Sequence, residues 1–283
     1  MADGSDNKAL SIIAVSSGTV DLRLPYAAWA WEYLRRNRDY RRDWRAARYE
    51  LQPSIHLTTG ARLIRERRRW RAAEKWGLLS FADPEHGCDK ADIFWRPDML
   101  AGALPVHLYP LDTDNDADDA LSHDEIILSS LQSRRVILET VSGVRHILLS
   151  GRRFWVQLVC DAPAMAGERC AVGIRIDGVR HYKRRLDTAS QLLSLYQSTG
   201  GKLSLIGRSR DSTRLAQGLM AVDIIEAGGR HRDVAEAIYG KEKVAERWGA
   251  ASRYYEDWSR RLIARAFFLV NEGYRDLLAK KTL

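Results

Sequence analysis

Cysteine is scarce in this sequence. The 283 residues include only Cys88, Cys160 and Cys170, an odd number without Cys-x-x-Cys spacing. Disulfide-stapled secreted domains and zinc knuckles need paired or closely spaced cysteines, so neither class is indicated. We therefore expect reduced thiols and a cytoplasmic protein.

Long hydrophobic runs are also missing. The stretch AFFLV (Ala266–Val270) is among the densest apolar segments, whereas a helix that crosses a bilayer needs about 20 mostly apolar residues. The first residues contain a short apolar patch with no basic region ahead of it, which is not the pattern of a secretion signal. The sequence predicts a soluble protein that does not bind membranes.

The motifs of common enzyme sites do not occur. GxGxxG, GxxxxGK[ST], GxSxG and HExxH are all missing, so the phosphate cradle, nucleophile elbow and zinc helix that they build are not predicted. The seven histidines are scattered, and no nucleophile, base and orienting group share a recognisable spacing. We expect a protein that is not an enzyme and needs no cofactor.

Two stretches resemble metal loops without meeting their requirements. His86, Cys88 and Asp89 are close in sequence but lack a fourth ligand and a known spacing. Aspartates alternate over Asp112–Asp118 as in a calcium loop, but Ala117 occupies the position of the turn glycine. We interpret the second stretch as an acidic linker and expect no metal site.

Positive charge is concentrated toward the two ends. The chain has 45 Lys and Arg against 37 Asp and Glu, a formal net charge of +8. Arg23–Trp76 contains fifteen basic and six acidic residues, Leu203–Leu283 fifteen and eleven, and the centre between them fourteen and seventeen. Two basic regions around a near-neutral centre indicate a polyanion that is held at two places.

Periodicity and turn signals divide the chain into five segments. We predict the α+β class, with a basic helical N-terminal module, a small antiparallel β-sheet in the middle and an all-α C-terminal helix-turn-helix variant. The predicted segments are a flexible tail (1–20), a basic helical N-terminal domain (21–100), an acidic linker (101–122), a small antiparallel β module (123–197) and a helix-turn-helix-like C-terminal domain (198–283).

Basic amphipathic helices are expected in the N-terminal domain. Pro25 suits the first turn of a helix that breaks near Asn37. A second helix is predicted over Thr58–Trp76, and its outward arginines would form a secondary basic patch that binds phosphates or simply keeps the domain soluble. The residues of this patch are Arg65, Arg67, Arg68, Arg69 and Arg71.

The middle of the chain contains short runs typical of strands. They are RVILETV, VRHILLS, FWVQLV, CAVGIRI and VRHY, between Ile126 and Tyr182. Turn signals separate them, and Asp177-Gly178 is the dipeptide of a tight hairpin. We expect an antiparallel sheet with one face covered by a helix over Thr188–Tyr196.

The C-terminal region has the outline of a helix-turn-helix variant. A short helix stops at Gly240, a second spans Lys241–Trp248, and a longer one spans Tyr254–Asn271. On the longest helix an apolar face that includes Trp258 and Leu262 lies opposite a face rich in arginine. Guanidinium groups bind phosphate or a guanine edge through two hydrogen bonds, and an alanine among them allows close approach. The predicted DNA-binding residues on this helix are Arg253, Arg260, Arg261, Ala264 and Arg265.

Two alternatives use the same region differently. The short helix over Lys241–Trp248 could be the recognition helix, and its outward residues are then DNA-binding candidates as well: Lys241, Lys243 and Arg247. The region could also bind another protein rather than DNA. In that case the candidate docking residues are Phe267, Phe268 and Tyr274.

Several stretches resemble a known family of regulators. PYAAWAWEYLRRNRDYRRDW, RAAEKWGLLSFADP and FWRPDM resemble an N-terminal domain of regulators on proteobacterial mobile elements. DSTRLAQGLMAVDIIEAGGRHRDVAEAIYG and SRRLIARAFFLVNEGYRDLL resemble its companion C-terminal domain. The order of the two resembles FseA-like transcriptional activators of excision and transfer of integrative and conjugative elements.

The resemblance implies both a function and partners. It implies a helix-turn-helix variant that binds double-stranded promoter DNA in the nucleoid and activates the gene for an excision factor. We further expect that the basic N-terminal helices contact the DNA backbone or RNA polymerase, and that an antiactivator protein is a second protein partner. The C-terminal domain also occurs alone in QseM-like antiactivators, where it binds activator proteins, so the resemblance leaves the protein-binding alternative open.

Overall fold

Helices and strands alternate along the chain, and the α+β class predicted from the sequence is confirmed. The computed structural model describes residues 12–15, 18–110, 126–151, 154–160, 170–176, 178–197, 211–248 and 253–279. Most of the predicted flexible tail and of the predicted acidic linker lies outside the described residues. Within the described parts, no helix is long and apolar enough to cross a membrane.

The helices are concentrated near the two ends of the chain. The break predicted near Asn37 is present, because the Asn37 side chain accepts a hydrogen bond from the Tyr40 backbone N–H at 2.9 Å and starts a new helix. The helices are α1 (Tyr26–Leu34), α2 (Arg38–Ala47), α3 (Arg71–Glu74), α4 (Tyr182–Gln197), α5 (Ser212–Glu226), α6 (His231–Tyr239), α7 (Lys241–Arg247), α8 (Tyr254–Phe268) and α9 (Tyr274–Ala279).

The strands form one large sheet and one hairpin. In the described residues they are β1 (Ile12–Val15), β2 (Gly18–Asp21), β3 (Ile55–His56), β4 (Arg62–Arg65), β5 (Leu104–Pro110), β6 (Arg134–Glu139), β7 (Arg145–Gly151), β8 (Phe154–Cys160) and β9 (Cys170–Ile174). The seven-stranded sheet has the order β3-β4-β6-β7-β8-β5-β9 and is antiparallel except for the pairs β4/β6 and β5/β8. β1 pairs with β2, so the described part of the predicted tail is extended strand.

The helix predicted over Thr58–Trp76 is wrong. Residues 62–65 form β4, which pairs in parallel with β6 at Leu63↔Ile137, and only Arg71–Glu74 is helical. Leu63 is buried in the core beneath the sheet. Pairing with a strand far along the chain therefore outweighs the local helical preference of this arginine-rich segment.

The strand predicted for VRHY is also wrong. The described residues 178–181 form a bend and turn that lead into α4, and α4 begins at Tyr182. The helix predicted to cover the sheet is present and longer than expected, with Leu192 and Leu195 buried against the sheet core. Strand β9 instead pairs antiparallel with β5, which precedes the middle segment in sequence.

The principal core joins the two ends of the chain. α1 contributes the fully buried side chains of Trp29, Trp31 and Tyr33. It packs against α9 and against the π-helical turn Leu269–Gly273 that follows α8. The aromatic side chains of α1 therefore find partners near the C-terminus, and the N-terminal helices do not form a separate core.

A buried ionic network links α1 to α5. Arg36 Nε lies 2.7 Å from Asp223 Oδ1, and Arg36 Nη1 lies 3.1 Å from Glu32 Oε2. Arg35 Nε also lies 2.7 Å from Glu32 Oε2. Burial acts to raise the pKa of Glu32, but the two guanidinium groups outweigh burial and hold that pKa below its ordinary value. The Glu32 carboxylate is therefore charged beside the two guanidinium groups near neutral pH.

Candidate nucleic-acid interface

A glycine sets the angle between two short helices, α6 and α7. Gly240 adopts φ +90° and ψ 145°, a backbone conformation that residues with a Cβ atom rarely adopt. At the start of α6, the Asp233 carboxylate accepts a hydrogen bond from the Arg230 backbone N–H at 2.7 Å. The local sequence therefore specifies where this helical pair begins and how it turns.

Helix α8 is held against the pair by two small apolar clusters. Val234 of α6 is buried with Leu262 and Ile263 of α8. Ala235 of α6, Val244 of α7 and Tyr255 of α8 form the second cluster. Because these contacts use only one side of α8, the opposite side remains at the surface.

The arginine face predicted on α8 lies at the surface. Arg260, Arg261, Ala264 and Arg265 are all exposed, and the Arg260 side chain is 70% exposed. Arg253 is exposed as well, but it lies just before α8 with φ +42°, so the helical period does not set its direction. The structure thus brings together four of the five residues predicted for this face.

Acidic charge on the face is limited. Asp257 Oδ1 lies 3.6 Å from Arg260 Nη1, and Arg261 donates to the Asp257 backbone oxygen at 3.2 Å. The Arg265 guanidinium lies 5.0 Å from the Phe268 ring centroid, a cation–π distance. Arg261 and Arg265 have no ion pair with a described residue, so both can bind an external anion.

The alternative candidates on α7 are exposed too. Lys241, Lys243 and Arg247 surround the buried Val244 and point away from the cluster that holds α7 in place. α7 is only seven residues long, and it lies beside the longer α8 in the same bundle. Both helices therefore present cations, and α8 presents the denser set of guanidinium groups.

The secondary basic patch is exposed, but not as a helix face. It begins at the last residue of β4 and continues through the loop into α3. Three of its arginines are paired with acids: Arg65 with Glu139 at 3.5 Å, Arg68 with Glu50 at 2.6 Å, and Arg69 with Glu74 at 2.8 Å. Among described residues, Arg67 and Arg71 have no such partner. Exposed ion pairs are weak, so the patch can still bind phosphate groups.

The aromatic docking patch predicted near the C-terminus is not assembled. Tyr274 is fully buried, with its ring 6.2 Å from that of Trp95 and its hydroxyl donating to the Trp76 backbone oxygen at 3.1 Å. Phe267 is partly buried beside the α6–α8 cluster. Phe268 is 41% exposed. Tyr274 is therefore a core residue rather than a docking residue, because its partners come from distant parts of the chain.

One cation beside the interface was missed by the sequence reasoning. Arg214 of α5 is exposed and lines a groove together with Arg261 and Arg265 of α8. The sequence does indicate that Arg214 lies on the polar side of α5, because it comes one residue before the buried Leu215. The sequence does not indicate that α5 packs against α8, and this packing adds Arg214 to the basic surface.

Replacement of Gly240 by alanine tests the turn. We expect Gly240→Ala to lower the free energy of unfolding by about 1–3 kcal/mol, because the conformation strains any residue with a Cβ while the space around it is open. DNA affinity should fall as well, since the turn sets how α7 and α6 meet α8. Thermal melting and fluorescence anisotropy with a DNA duplex measure the two effects.

Gly143 provides the control for this substitution. It also has a positive φ, +81°, with open space around it, but it lies between β6 and β7. Gly143→Ala should reduce stability and leave DNA affinity unchanged. Equal loss of DNA affinity in both variants would contradict a specific role for the Gly240 turn.

Two regions of the chain match known domain families. Residues 173–279 match the family described as "T6SS, Transcription factor, DNA binding domain". Residues 17–81 match the family described as "Proteobacterial transcriptional regulator-like domain". A search of curated proteins found no match. The two matches support regulation of transcription through DNA binding, and the first of them includes the whole arginine face of α8.

Proposed function

We propose that this protein is a DNA-binding transcriptional activator that works by recognition rather than by catalysis. The observation that carries the proposal is the surface formed by Arg260, Arg261 and Arg265, which lies inside the region similar to a DNA-binding domain. A planar guanidinium can bind a phosphate, or the O6 and N7 atoms of guanine, through two parallel hydrogen bonds.

Helix α8 is the proposed recognition element. It is fifteen residues long and is supported along one side by α5, α6 and α7, so its exposed side can enter the major groove as a rigid unit. Ala264 lies between the arginines and allows the backbone to approach the base edges. The cations Lys241, Lys243 and Arg247 on α7 would then contact flanking phosphates.

The basic patch after β4 is proposed as a second contact with the DNA backbone or with RNA polymerase. We expect the largest contribution from Arg67 and Arg71, which have no ion pair with any residue that the structure describes. A second contact at a distance from α8 would lengthen the protected stretch of DNA. It would also raise affinity through simultaneous binding at two places.

The target genes are proposed to control excision and transfer of a mobile genetic element. This assignment rests on the resemblance of the N- and C-terminal stretches to FseA-like activators. An antiactivator that covers the arginine face is the proposed negative regulator. The protein would then associate with the nucleoid whenever the face is free.

The first experiment is selection of genomic DNA fragments by the full chain. We expect enrichment of a small set of promoter fragments that include excision and transfer genes. Affinity for these fragments should fall steeply with salt, with a slope of log K against log salt of about −0.9 for each neutralised phosphate. Reporter expression from the selected promoter should rise when the protein is present.

Two results would argue against the proposal. The first is selection without sequence preference, which would indicate a general DNA-coating protein. The second is failure to select DNA at low salt combined with salt-resistant capture of a regulator protein. That outcome would support the antiactivator or adaptor alternative.

A further inference from the structure

A groove of about 570 Å³ lies between α5 and α8. This volume is within the range of small-molecule binding sites. Its floor is apolar and includes the buried residues Leu215, Leu262 and Leu269. Its rim carries three exposed guanidinium groups, from Arg214, Arg261 and Arg265.

The floor of the groove is rigidly built. Tyr33 of α1 reaches into it, and its hydroxyl donates to the Leu215 backbone oxygen at 2.7 Å. A Cβ on Gly218 would lie 2.4 Å from that hydroxyl oxygen, so the glycine is needed for this close approach. Burial raises the pKa of Tyr33, although the nearby Arg36 and Arg265 oppose the rise, and the phenol is neutral at physiological pH.

The charge of the rim is unbalanced. None of the three rim arginines forms an ion pair with a described residue, and they come from two helices that converge on the same opening. Asp211 is acidic and also lines the groove, but the Tyr26 hydroxyl donates to its carboxylate at 3.4 Å. An apolar floor below clustered cations is complementary to a molecule with a hydrophobic body and an anionic group.

We propose that this groove binds an amphipathic organic anion, with its carboxylate, sulfonate or phosphate group on Arg261 and Arg265 and its apolar body on the leucine floor. Arg214 contacts the same anionic group from the α5 side of the groove. This site is a ligand site in its own right and requires no DNA.

Occupation of the groove and contact with DNA should exclude each other. The reason is that Arg261 and Arg265 belong to both sites. This mutual exclusion rests on the proposed DNA-binding function. A ligand of this class would thereby release the protein from DNA. The same groove would act as the sensor of a small molecule that lowers expression of the activated genes.

A matched pair of fluorescent probes tests the site in the full chain without DNA. 1-Anilinonaphthalene-8-sulfonate has the aromatic body and the anionic group, whereas N-phenyl-1-naphthylamine has the same body without the charge. We expect saturable binding of one sulfonate probe per chain, with the uncharged probe about tenfold weaker or more, as loss of a charge-assisted contact predicts. Equal affinities for the two probes would overturn the proposal.

Arginine variants localise the probe. Arg261→Ala and Arg265→Ala should each weaken binding of the sulfonate probe about tenfold. Arg260→Ala is the matched control, because Arg260 is on the same helix but does not line the groove, and it should change the affinity less than about twofold. Thermal melting checks that all three variants are folded. An equal loss of probe affinity in the Arg260 variant would show that the probe binds elsewhere, and it would overturn the proposed site.

The coupling to DNA is measured separately. Increasing the sulfonate probe should raise the apparent Kd for the selected promoter duplex in proportion to groove occupancy. If the probe binds with the expected arginine dependence but leaves the DNA affinity unchanged, the exclusion is overturned and the ligand site stands. If the protein selects no DNA at all, the probe titrations still decide whether the groove binds anions.

Discussion

Replacing Arg261 and Arg265 together by alanine is expected to weaken binding to the selected promoter DNA about 100-fold or more. A guanidinium that reads a base through two hydrogen bonds contributes about 1–3 kcal/mol of discrimination, and two such losses reach this size. Both side chains are exposed on α8, so the melting temperature should change little. Gel-shift titrations and thermal melting measure the two quantities.

The control for this variant removes the same charge elsewhere. Arg180 and Lys183 are both exposed near the start of α4 and do not line the groove between α5 and α8. The double variant Arg180→Ala, Lys183→Ala also lowers the net charge by two. It should retain DNA affinity within about threefold, because it loses only nonspecific attraction. Wild-type affinity in the Arg261, Arg265 variant would exclude α8 as the recognition helix.

The salt dependence of the same variant separates two kinds of contact. If both arginines bind phosphates, the slope of log K against log salt should become shallower by about 1.8. If they read bases, the slope should change little, whereas preference for the selected sequence over random DNA should collapse. The first result would assign the two arginines to phosphate contacts, and the second would assign them to base recognition.

Replacing Arg36 by methionine is expected to lower the free energy of unfolding by about 3–5 kcal/mol, because it leaves the largely buried Asp223 carboxylate without its charged partner. Methionine retains most of the packing volume, so the decrease in the free energy of unfolding reports the missing guanidinium charge and its hydrogen bonds. Chemical denaturation of the full chain measures it. The effect is large enough to leave a substantial unfolded population at growth temperature.

Arg38→Met is the matched control. Arg38 also pairs with an acid of α5, Glu226, at 2.9 Å, but the two side chains are 78% and 35% exposed. The free energy of unfolding should fall by less than about 1 kcal/mol, because solvent screens an exposed ion pair. Similar losses in both variants would show that the stabilising contribution comes from the proximity of α1–α2 to α5 and not from the buried charges.

The parts of the fold that follow from local signals are predictable from the sequence. The break at Asn37 and the turn at Gly240 are local, since a capping side chain and a glycine conformation specify them within a few residues. The arginine face of α8 is local as well, because a helical period alone places Arg260, Arg261 and Arg265 on one side. These features needed no information from distant segments.

The errors share a nonlocal cause. β4 is a strand because β3 and β6 pair with it on its two sides, and no pattern in Arg62–Arg65 reveals the partner β6. Tyr274 is buried because Trp76 and Trp95 meet it from the first third of the chain. The groove between α5 and α8 has a nonlocal origin as well, since its lining residues come from α1, α5, α8, the π-helical turn and α9, which pack together only in the folded chain.

The burial of α1 against α9 and the adjoining π-helical turn has a consequence during synthesis. The Asn37 side chain donates to the Val270 backbone oxygen at 3.1 Å, across 233 positions of the chain. On the ribosome, α1 emerges well before its partners in α9 and the π-helical turn, so its side chains lack those contacts until this later segment has been translated. Until then the nascent chain exposes apolar surface of α1, and such surface promotes aggregation. A message truncated before Tyr274 should yield a product that chaperones or proteases capture, and not a partly active regulator.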